Sequence, residues 1–553
     1  MENLAQLLEQ QLATPQRVLY RQFIDSAWRD YNAADVTAMA ARWQAAFRRE
    51  GLVAGERVAI CMKNGVSWVA VDMALLGLGL VVVPVFVDDN TENIAWCLKD
   101  SGAKLLIADH ARFLEKLPRL LDTLPQIVVL RSEALAPAIP AETWLPQADA
   151  PFTVKPTMPD SLATVVYTSG TIGRPKGVML SHANILSNIQ VIPGCFDPTC
   201  ADCLLSILPL SHMFERTAGY YLPLMVGAQV VYTRGINQLG EDFCEQQPTI
   251  VIAVPRVFER LLARLHEALA TSPAKRWLFD HVVAAGWRKF KGNTLWLDRL
   301  LWLRLHHIIA APVLVRFGGR LRIAAMGGAA LDQRVAHVFI GLGVPMLQGY
   351  GLTETSPIIA ANRLENNEPA SVGLPLQGVE VQVNEASELL VRGALVMLGY
   401  WNNPDATRQV LDDYGWLNTG DLAEIRDSRI YIHGRSKNIL VLSNGEKVPP
   451  EDIEQAILQD PVFEQVMLVG EGRPCLVLLA VTQERDAKVL LRRANASLAV
   501  MPRHTRVRRV IAIHERWELE NGLLTPTLKI KRSEVFARYC RKIETAYDEL
   551  LDI

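Results

Sequence analysis

The sequence predicts an α/β protein, with a large N-terminal domain of stacked, mainly parallel sheets plus a β subdomain, and a small α+β C-terminal domain. Three observations lead to this prediction. The 553 residues exceed what one ordinary hydrophobic core accommodates. Helical segments alternate with short β-branched runs over most of the chain, and after Gly373 apolar residues recur with period two. We therefore expect domains at residues 1–433 and 434–553.

Short runs rich in Val, Ile and Leu predict buried parallel strands. These runs cover residues 57–61, 79–83, 103–108 and 126–130. The longest apolar stretch, 73–87, is shorter than the roughly 20 residues that a membrane-spanning helix needs. Because Gly77, Gly79 and Pro84 lie inside it, we expect a buried helix that turns into a core strand.

The C-terminal part has a different pattern. Residues 379–383 and 388–391 alternate apolar and polar side chains across a short polar link, which predicts an antiparallel subdomain. A second module is expected from about Gly434 onward. Within it, residues 449–454 combine prolines with acidic residues, which suits the first turn of a helix.

The composition excludes some classes of function. Half of the residues are hydrophobic, 21% are charged and the net charge is −2, so we expect a globular enzyme without nucleic acid as a partner. The eight cysteines form no framework, and the N-terminus does not have the pattern of a signal peptide. These features predict a cytoplasmic protein. Cys200 and Cys203 have the spacing of a zinc pair, but one pair without a second is weak support for a metal site.

Residues 167–178 form a hydroxyl- and glycine-rich segment after an apolar run. Its candidate binding residues are Thr168, Ser169, Gly170, Thr171, Gly173 and Lys176. Glycines let backbone N–H groups approach an anion, hydroxyls add donors, and a lysine supplies positive charge. The spacing is not that of a P-loop, because no Ser or Thr follows Lys176. Two interpretations remain at this point, a phosphate-binding loop and a surface loop rich in turn residues.

This segment and four later ones, in the same order, resemble the motifs of the adenylate-forming superfamily of acyl-CoA synthetases, luciferases and adenylation domains. The later segments are residues 348–356, 419–421, 434–435 and 525–529. Three further segments are most similar to long-chain fatty acyl-CoA synthetases, and they are residues 208–216, 248–257 and 438–447. The resemblance implies that a fatty acid is converted to acyl-AMP and then to acyl-CoA, with ATP, Mg²⁺ and coenzyme A. It also implies that the small domain is mobile.

The resemblance assigns roles around ATP. The loop at 167–177 wraps the β- and γ-phosphates, Thr353 contacts the α-phosphate, and Glu354 holds magnesium. The adenine site is built from residues of two segments, namely Gly327, Gly328, Ala329, Tyr350 and Gly351. Asp421 and Arg435 bind the ribose. The alternative for this last pair is a turn aspartate and a surface arginine.

Three more residues carry implied roles. Lys529 is assigned to the adenylation step, and extended geometry around Pro526 would let it reach a site built by the other domain. Lys531 is a rival for that role. Lys437 occupies the hinge position, about which the small domain swings between the half-reactions. His212 lies in the segment that resembles the gate of the acyl site, although a histidine packed in the core is the alternative.

The chain departs from the family pattern at Ile172, where a second threonine is usual, and at Lys437 and Asn438, where many relatives have an acidic residue. Two rival functions are open: loading of a separate acyl carrier protein, and a nucleotide-binding scaffold without chemistry. Tryptophans and basic residues in 275–308 fit both a helix in peripheral contact with the inner face of a membrane and a hairpin packed on the large domain. No motif indicates the acyl chain length.

Overall fold

The computed structural model of the protein describes most of the chain, and the described residues are 1–109, 117, 125–130, 138–147, 151–168, 174–270, 272–294, 298, 308, 310–499, 501–502, 505–518, 521–525 and 529–551. They form two compact units. The first consists of the described residues in 1–168, 174–380 and 391–417, and the second of those in 381–390 and 418–551. The expected division at 433 and 434 falls inside a strand, Arg429–Arg435, and as a hinge for domain movement it stays a prediction.

The first unit contains a nine-stranded sheet, mainly parallel with antiparallel strands at both edges. In spatial order its strands are Leu374–Pro375, Ile358–Ala361, Met346–Gly351, Ile323–Met326, Ile250–Ala253, Cys203–Ser206, Gln229–Tyr232, Val18–Ile24 and Ala27–Asn32. The neighbouring parallel strands Ile250–Ala253 and Ile323–Met326 consist entirely of apolar residues, as expected for parallel strands covered on both faces.

An eight-stranded sheet also belongs to the first unit. Its order is Gly399–Tyr400, Lys176–Ser181, Leu162–Thr168, Val81–Pro84, Arg57–Cys61, Leu105–Ala108, Gln126–Val129 and Ile139–Pro140. The four predicted parallel strands are confirmed, with ends displaced by at most two residues. The apolar stretch 73–87 is confirmed as the end of a buried helix, Val66–Gly77, followed by a core strand.

Helices cover these sheets. In the first unit they are Gln6–Gln11, Ala33–Arg49, Val66–Gly77, Thr91–Ser101, Ala141–Trp144, His182–Val191, Pro193–Phe196, Leu222–Val226, Leu239–Gln246, Pro255–Ala270, Pro273–Phe290, Ala311–Val315, Gln333–Leu342 and Pro404–Val410. A π-helix, Glu215–Tyr221, precedes Leu222–Val226 and is buried throughout. One core contains side chains of both sheets, such as Val82 and Val230, so the predicted stacking of sheets is confirmed.

A polar cluster lies at the centre of this apolar core. Arg216 of the π-helix forms an ion pair with Asp72 of helix Val66–Gly77, and both side chains are fully buried. The Arg216 guanidinium also donates to Thr164 Oγ1 at 2.9 Å. The hydroxyls of Tyr220 and Tyr221 donate to Asp72 Oδ2 at 3.1 and 2.9 Å. The cluster therefore connects a helix, the π-helix and a strand of the eight-stranded sheet.

The second unit has an α+β fold. Its sheets are Glu380–Val383, Glu388–Arg392, Leu417–Arg426 and Arg429–Arg435; Leu440–Val441 and Lys447–Val448; and Gln465–Val469, Leu476–Val481 and Val507–Ile513. Its α-helices are Pro450–Ile457, Ala487–Ser497 and Arg532–Leu551. In the three-stranded sheet, alternate residues of the central strand, Leu476–Val481, face different cores. Leu478 belongs to the core that contains Ile453, and Leu479 belongs to the core that contains Val535. The predicted strands near 380 and 390 and the helix near 450 are confirmed.

Asp72→Asn should lower the free energy of unfolding by about 3–5 kcal/mol, because it leaves the Arg216 guanidinium buried without a counter-charge. Asp25→Asn is the control, since Asp25 and Arg29 form an exposed i,i+4 ion pair that contributes less than about 1 kcal/mol. Urea denaturation followed by circular dichroism measures both. Equal midpoints for the two variants would show that the buried pair contributes no more than the exposed one.

Candidate active site

The two ends of the predicted phosphate loop are held by the eight-stranded sheet. Thr168 ends one strand, Lys176 begins the next, and the two residues are partners in the antiparallel register. The strand that ends at Thr168 and the strand that begins at Lys176 are therefore the two strands of a hairpin. Ser169, Gly170, Thr171, Ile172 and Gly173 lie outside the described residues.

A tryptophan braces the C-terminal end of this loop. The indole Nε1 of Trp96 donates to the carbonyl oxygen of Pro175 at 3.0 Å. The guanidinium of Arg174 lies over the same indole, 4.4 Å from the ring centroid. These contacts fix the backbone immediately before Lys176, so the position of the lysine depends on helix Thr91–Ser101 as well as on its own strand.

Tyr400 connects the loop lysine to the predicted magnesium ligand. Its strand, Gly399–Tyr400, pairs with the strand that begins at Lys176, whose amine lies 4.9 Å from the centroid of the Tyr400 ring. The Tyr400 hydroxyl donates to Glu354 Oε1 at 2.8 Å. Sequence reasoning missed Tyr400, because no spacing or motif relates it to either partner. The structure thus arranges a cation, a hydroxyl and a carboxylate around one nearly buried ring.

Thr353 and Glu354 lie in a 3₁₀ turn, Thr353–Thr355, directly after the strand that ends at Gly351. The backbone carbonyl of Glu354 accepts from the N–H of Met397 at 2.9 Å, which ties the turn to a neighbouring segment. Mg²⁺ at a nucleotide site commonly takes one or two carboxylates and completes its shell with phosphate oxygens and water. A single hydrogen-bonded glutamate beside a threonine fits that donor set.

The predicted adenine residues lie at one edge of the nine-stranded sheet. Strands Ile323–Met326 and Met346–Gly351 are parallel neighbours, so Gly327, which follows the first, and Tyr350, near the end of the second, lie at the same carboxyl edge. Gly328 and Ala329 continue from Gly327 and become progressively more exposed.

Two glycines at this edge are required by close approach. A Cβ on Gly327 would lie 2.8 Å from Cζ of Phe214, and one on Gly351 would lie 1.7 Å from the carbonyl oxygen of Pro357. Any larger residue would displace a ring in the first case and backbone in the second. The aromatic ring of Phe214 therefore borders the predicted adenine edge.

His212 lies in the loop before the π-helix and is half-buried. Its Nδ1 accepts a hydrogen bond from the backbone N–H of Phe214 at 3.2 Å. An accepting Nδ1 places the ring proton of a neutral imidazole on Nε2. The local contact orients the ring, and its role at the acyl carboxylate stays a prediction.

Three predicted residues come together in the second unit. Asp421 and Arg435 are partners in the register of two antiparallel strands, and Arg435 Nε lies 3.0 Å from Asp421 Oδ1. Asp421 lies within strand Leu417–Arg426 and is 4% exposed, so it is not a turn aspartate, whereas Arg435 is exposed, as the alternative interpretation has it, and the role of the pair stays a prediction. Burial of the amine and repulsion by Arg435 lower the pKa of Lys529 to about 8, while Asp421 opposes this shift. Lys529 as a whole residue is exposed, so the charges of Arg435 and Asp421 are the part of its environment that substitutions can change.

The backbone at Lys529 is hydrogen-bonded to Thr525, and the extended geometry expected around Pro526 stays a prediction. Thr525 N–H donates to the Lys529 carbonyl oxygen at 2.8 Å, and Lys529 N–H donates to Thr525 Oγ1 at 3.0 Å. Leu524 and Ile530 form an antiparallel bridge. Lys529 is therefore held beside Thr525, next to this bridge, by the hydroxyl and backbone of Thr525. Pro526 lies outside the described residues.

Lys437, the predicted hinge residue, lies in a 3₁₀ turn, Ser436–Asn438, directly after the strand that ends at Arg435. Hydrogen bonds from Asn418 and Ser436 and the charge of Lys437 lower the pKa of Glu388. On the other side of the turn, the Asn438 amide donates to Glu451 Oε1 at 2.6 Å.

Two further features of the sequence were the zinc-like spacing of Cys200 and Cys203 and the tryptophans and basic residues in 275–308. Within the described ranges, no group of three or more His, Cys, Asp or Glu side chains is arranged to hold a metal ion, and all eight cysteines are free. No helix in the described part of the chain has the length and apolar character needed to cross a bilayer. Helix Pro273–Phe290 packs against helix Gln333–Leu342 through Phe279, Val282 and Val283, while Trp277 is exposed. Trp296 and Trp302 lie outside the described residues.

Family comparisons agree with this geometry. A family described as AMP-binding enzyme matches residues 8–401, and one described as the AMP-binding enzyme C-terminal domain matches residues 437–551. A long-chain-fatty-acid–CoA ligase, FadD15 of Mycobacterium bovis, is 29% identical over 99% of this chain and 97% of its own. The long-chain-fatty-acid–[acyl-carrier-protein] ligase AEE15 of Arabidopsis thaliana is 26% identical over 90% of this chain and 80% of its own.

Solved structures share the fold at low identity. ATP-bound MatB from Rhodopseudomonas palustris has a TM-score of 0.76 at 20% identity, covering 97% of this chain and 99% of its own. The A domain of carboxylic acid reductase from Segniliparus rugosus, in complex with AMP and a co-purified carboxylic acid, has a TM-score of 0.78 at 20% identity, covering 99% and 94%. The predicted superfamily and fold class are confirmed.

The Lys529 amine should become reactive with a midpoint near pH 8, because its ammonium form predominates below that pH and is not a nucleophile. Arg435→Gln removes a repelling cation and should raise the midpoint, whereas Asp421→Asn removes an attracting anion and should lower it. Pulse acylation over pH 6–11 with mass spectrometry of the Lys529 peptide measures the midpoints. One midpoint near 10.5, the ordinary lysine pKa, in all three proteins would contradict this environment.

Proposed function

The chain belongs to the AMP-binding enzyme family, and we propose that it is an ATP-dependent acid–thiol ligase that converts a long-chain fatty acid to acyl-AMP and then to acyl-CoA. The arrangement of Lys176, Tyr400 and Glu354 carries this proposal. It combines a cation at the end of a phosphate-type loop with a carboxylate held by a hydroxyl. Phosphoryl chemistry needs that combination, since charge develops on phosphoryl oxygens and must be stabilised as pyrophosphate leaves.

In the first half-reaction, a carboxylate oxygen of the fatty acid attacks the α-phosphorus of ATP. The new bond joins that oxygen to phosphorus, and the bond to the bridging oxygen of pyrophosphate breaks. We assign Lys176 and the loop at 167–177 to the β- and γ-phosphates, Thr353 to the α-phosphate and Glu354 to Mg²⁺. Lys529 neutralises charge between the carboxylate and the α-phosphate. Its interaction with Asp421 and Arg435 supports a place near the ribose of ATP.

In the second half-reaction, the thiol sulfur of coenzyme A, as thiolate, attacks the acyl carbon and AMP leaves with the bonding electrons. We propose that the small domain turns about Lys437 between the two steps. The 3₁₀ turn Ser436–Asn438 supports this position, because a short turn between elements can absorb a change in backbone angles.

The proposal also names the acceptor of the acyl group and the length of the fatty acid. Coenzyme A is proposed because a relative named as a long-chain-fatty-acid–CoA ligase matches the chain over nearly its whole length. A relative named as an acyl-carrier-protein ligase keeps a separate carrier protein as the second candidate acceptor. The scaffold alternative is less well supported, since Lys529, Glu354 and Asp421 are all present.

Peripheral contact with a membrane through 275–308 stays a proposal, as does a cytoplasmic location at its inner face. Trp277 is 59% exposed and follows Lys275 and Arg276, a combination that suits a bilayer surface. The same helix packs through Phe279 and Val282, which supports the alternative of a helix packed on the large unit.

Lys529→Ala should abolish acyl-AMP formation yet leave thioester synthesis from supplied acyl-AMP largely intact, because only the first step requires its charge. Loss of a preorganised cation at a phosphoryl transition state costs about 3 kcal/mol or more. Lys531→Ala is the matched control and should retain both half-reactions. Single-turnover assays of each half-reaction separate the outcomes, and an equal loss in both for Lys529→Ala would contradict the assignment.

Glu354→Gln should raise the magnesium concentration needed for half-maximal pyrophosphate release, because the amide keeps the shape but not the charge of the ligand. Tyr400→Phe should raise it by about tenfold, since it removes the hydrogen bond that orients this carboxylate. Tyr414→Phe is the control, as Tyr414 is 81% exposed. If the magnesium titrations of all four proteins coincide, Glu354 does not bind the metal.

A further inference from the structure

Glu215 is a buried carboxyl group for which the proposed reaction has no use. It begins the π-helix, is fully buried, and accepts a hydrogen bond from the Ser206 hydroxyl at 2.6 Å on Oε1. Its Oε2 is buried without a hydrogen-bond partner among the described residues. The adjacent guanidinium of Arg216 is instead paired with Asp72. Burial raises the pKa of Glu215 to about 8, although hydrogen bonds from Ser206 and from the backbone of Leu208 oppose the shift, so the neutral acid predominates at pH 7.

Ser206 is in turn hydrogen-bonded to Asn64, which also forms hydrogen bonds with the backbone of the loop at 207–214. The Asn64 amide donates to Ser206 Oγ at 3.0 Å and to the Leu208 carbonyl oxygen at 2.6 Å. The Asn64 carbonyl oxygen accepts from the N–H of Leu210 at 2.8 Å. A continuous chain of hydrogen bonds therefore runs from the Glu215 carboxyl group, at one end of the loop, to two backbone positions near its beginning.

The loop held in this way carries two residues of the candidate site. His212 is oriented by the N–H of Phe214, and the ring of Phe214 lies against Gly327 at the adenine edge. The N–H of Arg216 donates to the carbonyl oxygen of His212 at 3.0 Å, so the π-helix begins directly from the His212 turn. A shift of either anchor would move the imidazole and the phenyl ring together.

We propose that Asn64, Ser206 and Glu215 form a positioning relay that fixes the loop at 207–214 and thereby sets how the carboxylate end of the fatty acid binds. That the bound acid is a fatty acid rests on the proposed function, whereas the relay itself does not. None of the three residues needs to touch substrate, and each acts through the backbone that carries His212 and Phe214. A carboxyl group kept neutral in an apolar interior can accept from Ser206 without requiring a cation.

The first test measures KM for fatty acid and for ATP in acyl-AMP formation. Glu215→Met removes the hydrogen bond from Ser206 and should raise KM for the fatty acid by about threefold to tenfold. Ser206→Ala removes two hydrogen bonds and Asn64→Ala removes three, so each should raise this KM at least as much, and all three variants should leave KM for ATP nearly unchanged. Glu215→Gln keeps a neutral acceptor for Ser206 and should retain the parent values. Asn362→Ala is the control, because Asn362 is a buried amide that bonds Glu368 and Ser371 outside this loop.

The second test does not depend on activity. Hydrogen exchange of the peptide covering 207–214 should be faster in Ser206→Ala, Asn64→Ala and Glu215→Met than in the parent, Glu215→Gln and Asn362→Ala. If the parent releases no pyrophosphate with fatty acids, the proposed function fails and the exchange data still decide on the relay. The relay is overturned if exchange of this peptide is unchanged in the three variants. It is also overturned if KM for ATP rises together with KM for the fatty acid. The same holds if Asn362→Ala changes KM for the fatty acid and the exchange of this peptide as much as the three variants do.

Discussion

The buried ion pair between Arg216 and Asp72 is the interaction on which the architecture of the site depends. Arg216 belongs to the π-helix that follows the His212 loop, Asp72 belongs to the buried helix Val66–Gly77, and Thr164 belongs to the strand that leads into the phosphate loop. Buried ion pairs are weak sources of net stability, because desolvation offsets most of their attraction. We infer that this pair serves to specify one arrangement of the two loops rather than to add stability.

The sequence predicted the elements whose signals are local. Strand 57–61 and the helix that begins near 450 follow from apolar runs and from prolines with acids, and both are present. The hydrogen bonds between Thr525 and Lys529 were not predicted, because no local signal in the sequence indicates that these two residues approach each other. Motif resemblance identified Lys176 and Glu354, but it gave no information about what orients them.

The residues that orient the site could not be predicted, since their partners are distant in sequence. Tyr400 bonds Glu354 across 46 positions, and Asn64 bonds Ser206 across 142. Only the folded chain brings such residues together. The chemistry of a buried carboxyl group such as Glu215 cannot be predicted from the sequence either, because it depends on how completely the folded core buries the group. Motifs therefore indicate which residues are candidates for the site, whereas the residues that orient those candidates become visible only in the structure.

We propose that the chain activates fatty acids as adenylates and transfers them to coenzyme A. Pyrophosphate release with acids of two to twenty carbons, measured with and without coenzyme A and with identification of the product, tests it most directly. The account predicts release that increases with chain length, becomes catalytic when coenzyme A is added, and yields acyl-CoA. Absence of release with every acid, or turnover that leaves coenzyme A unacylated, would contradict it.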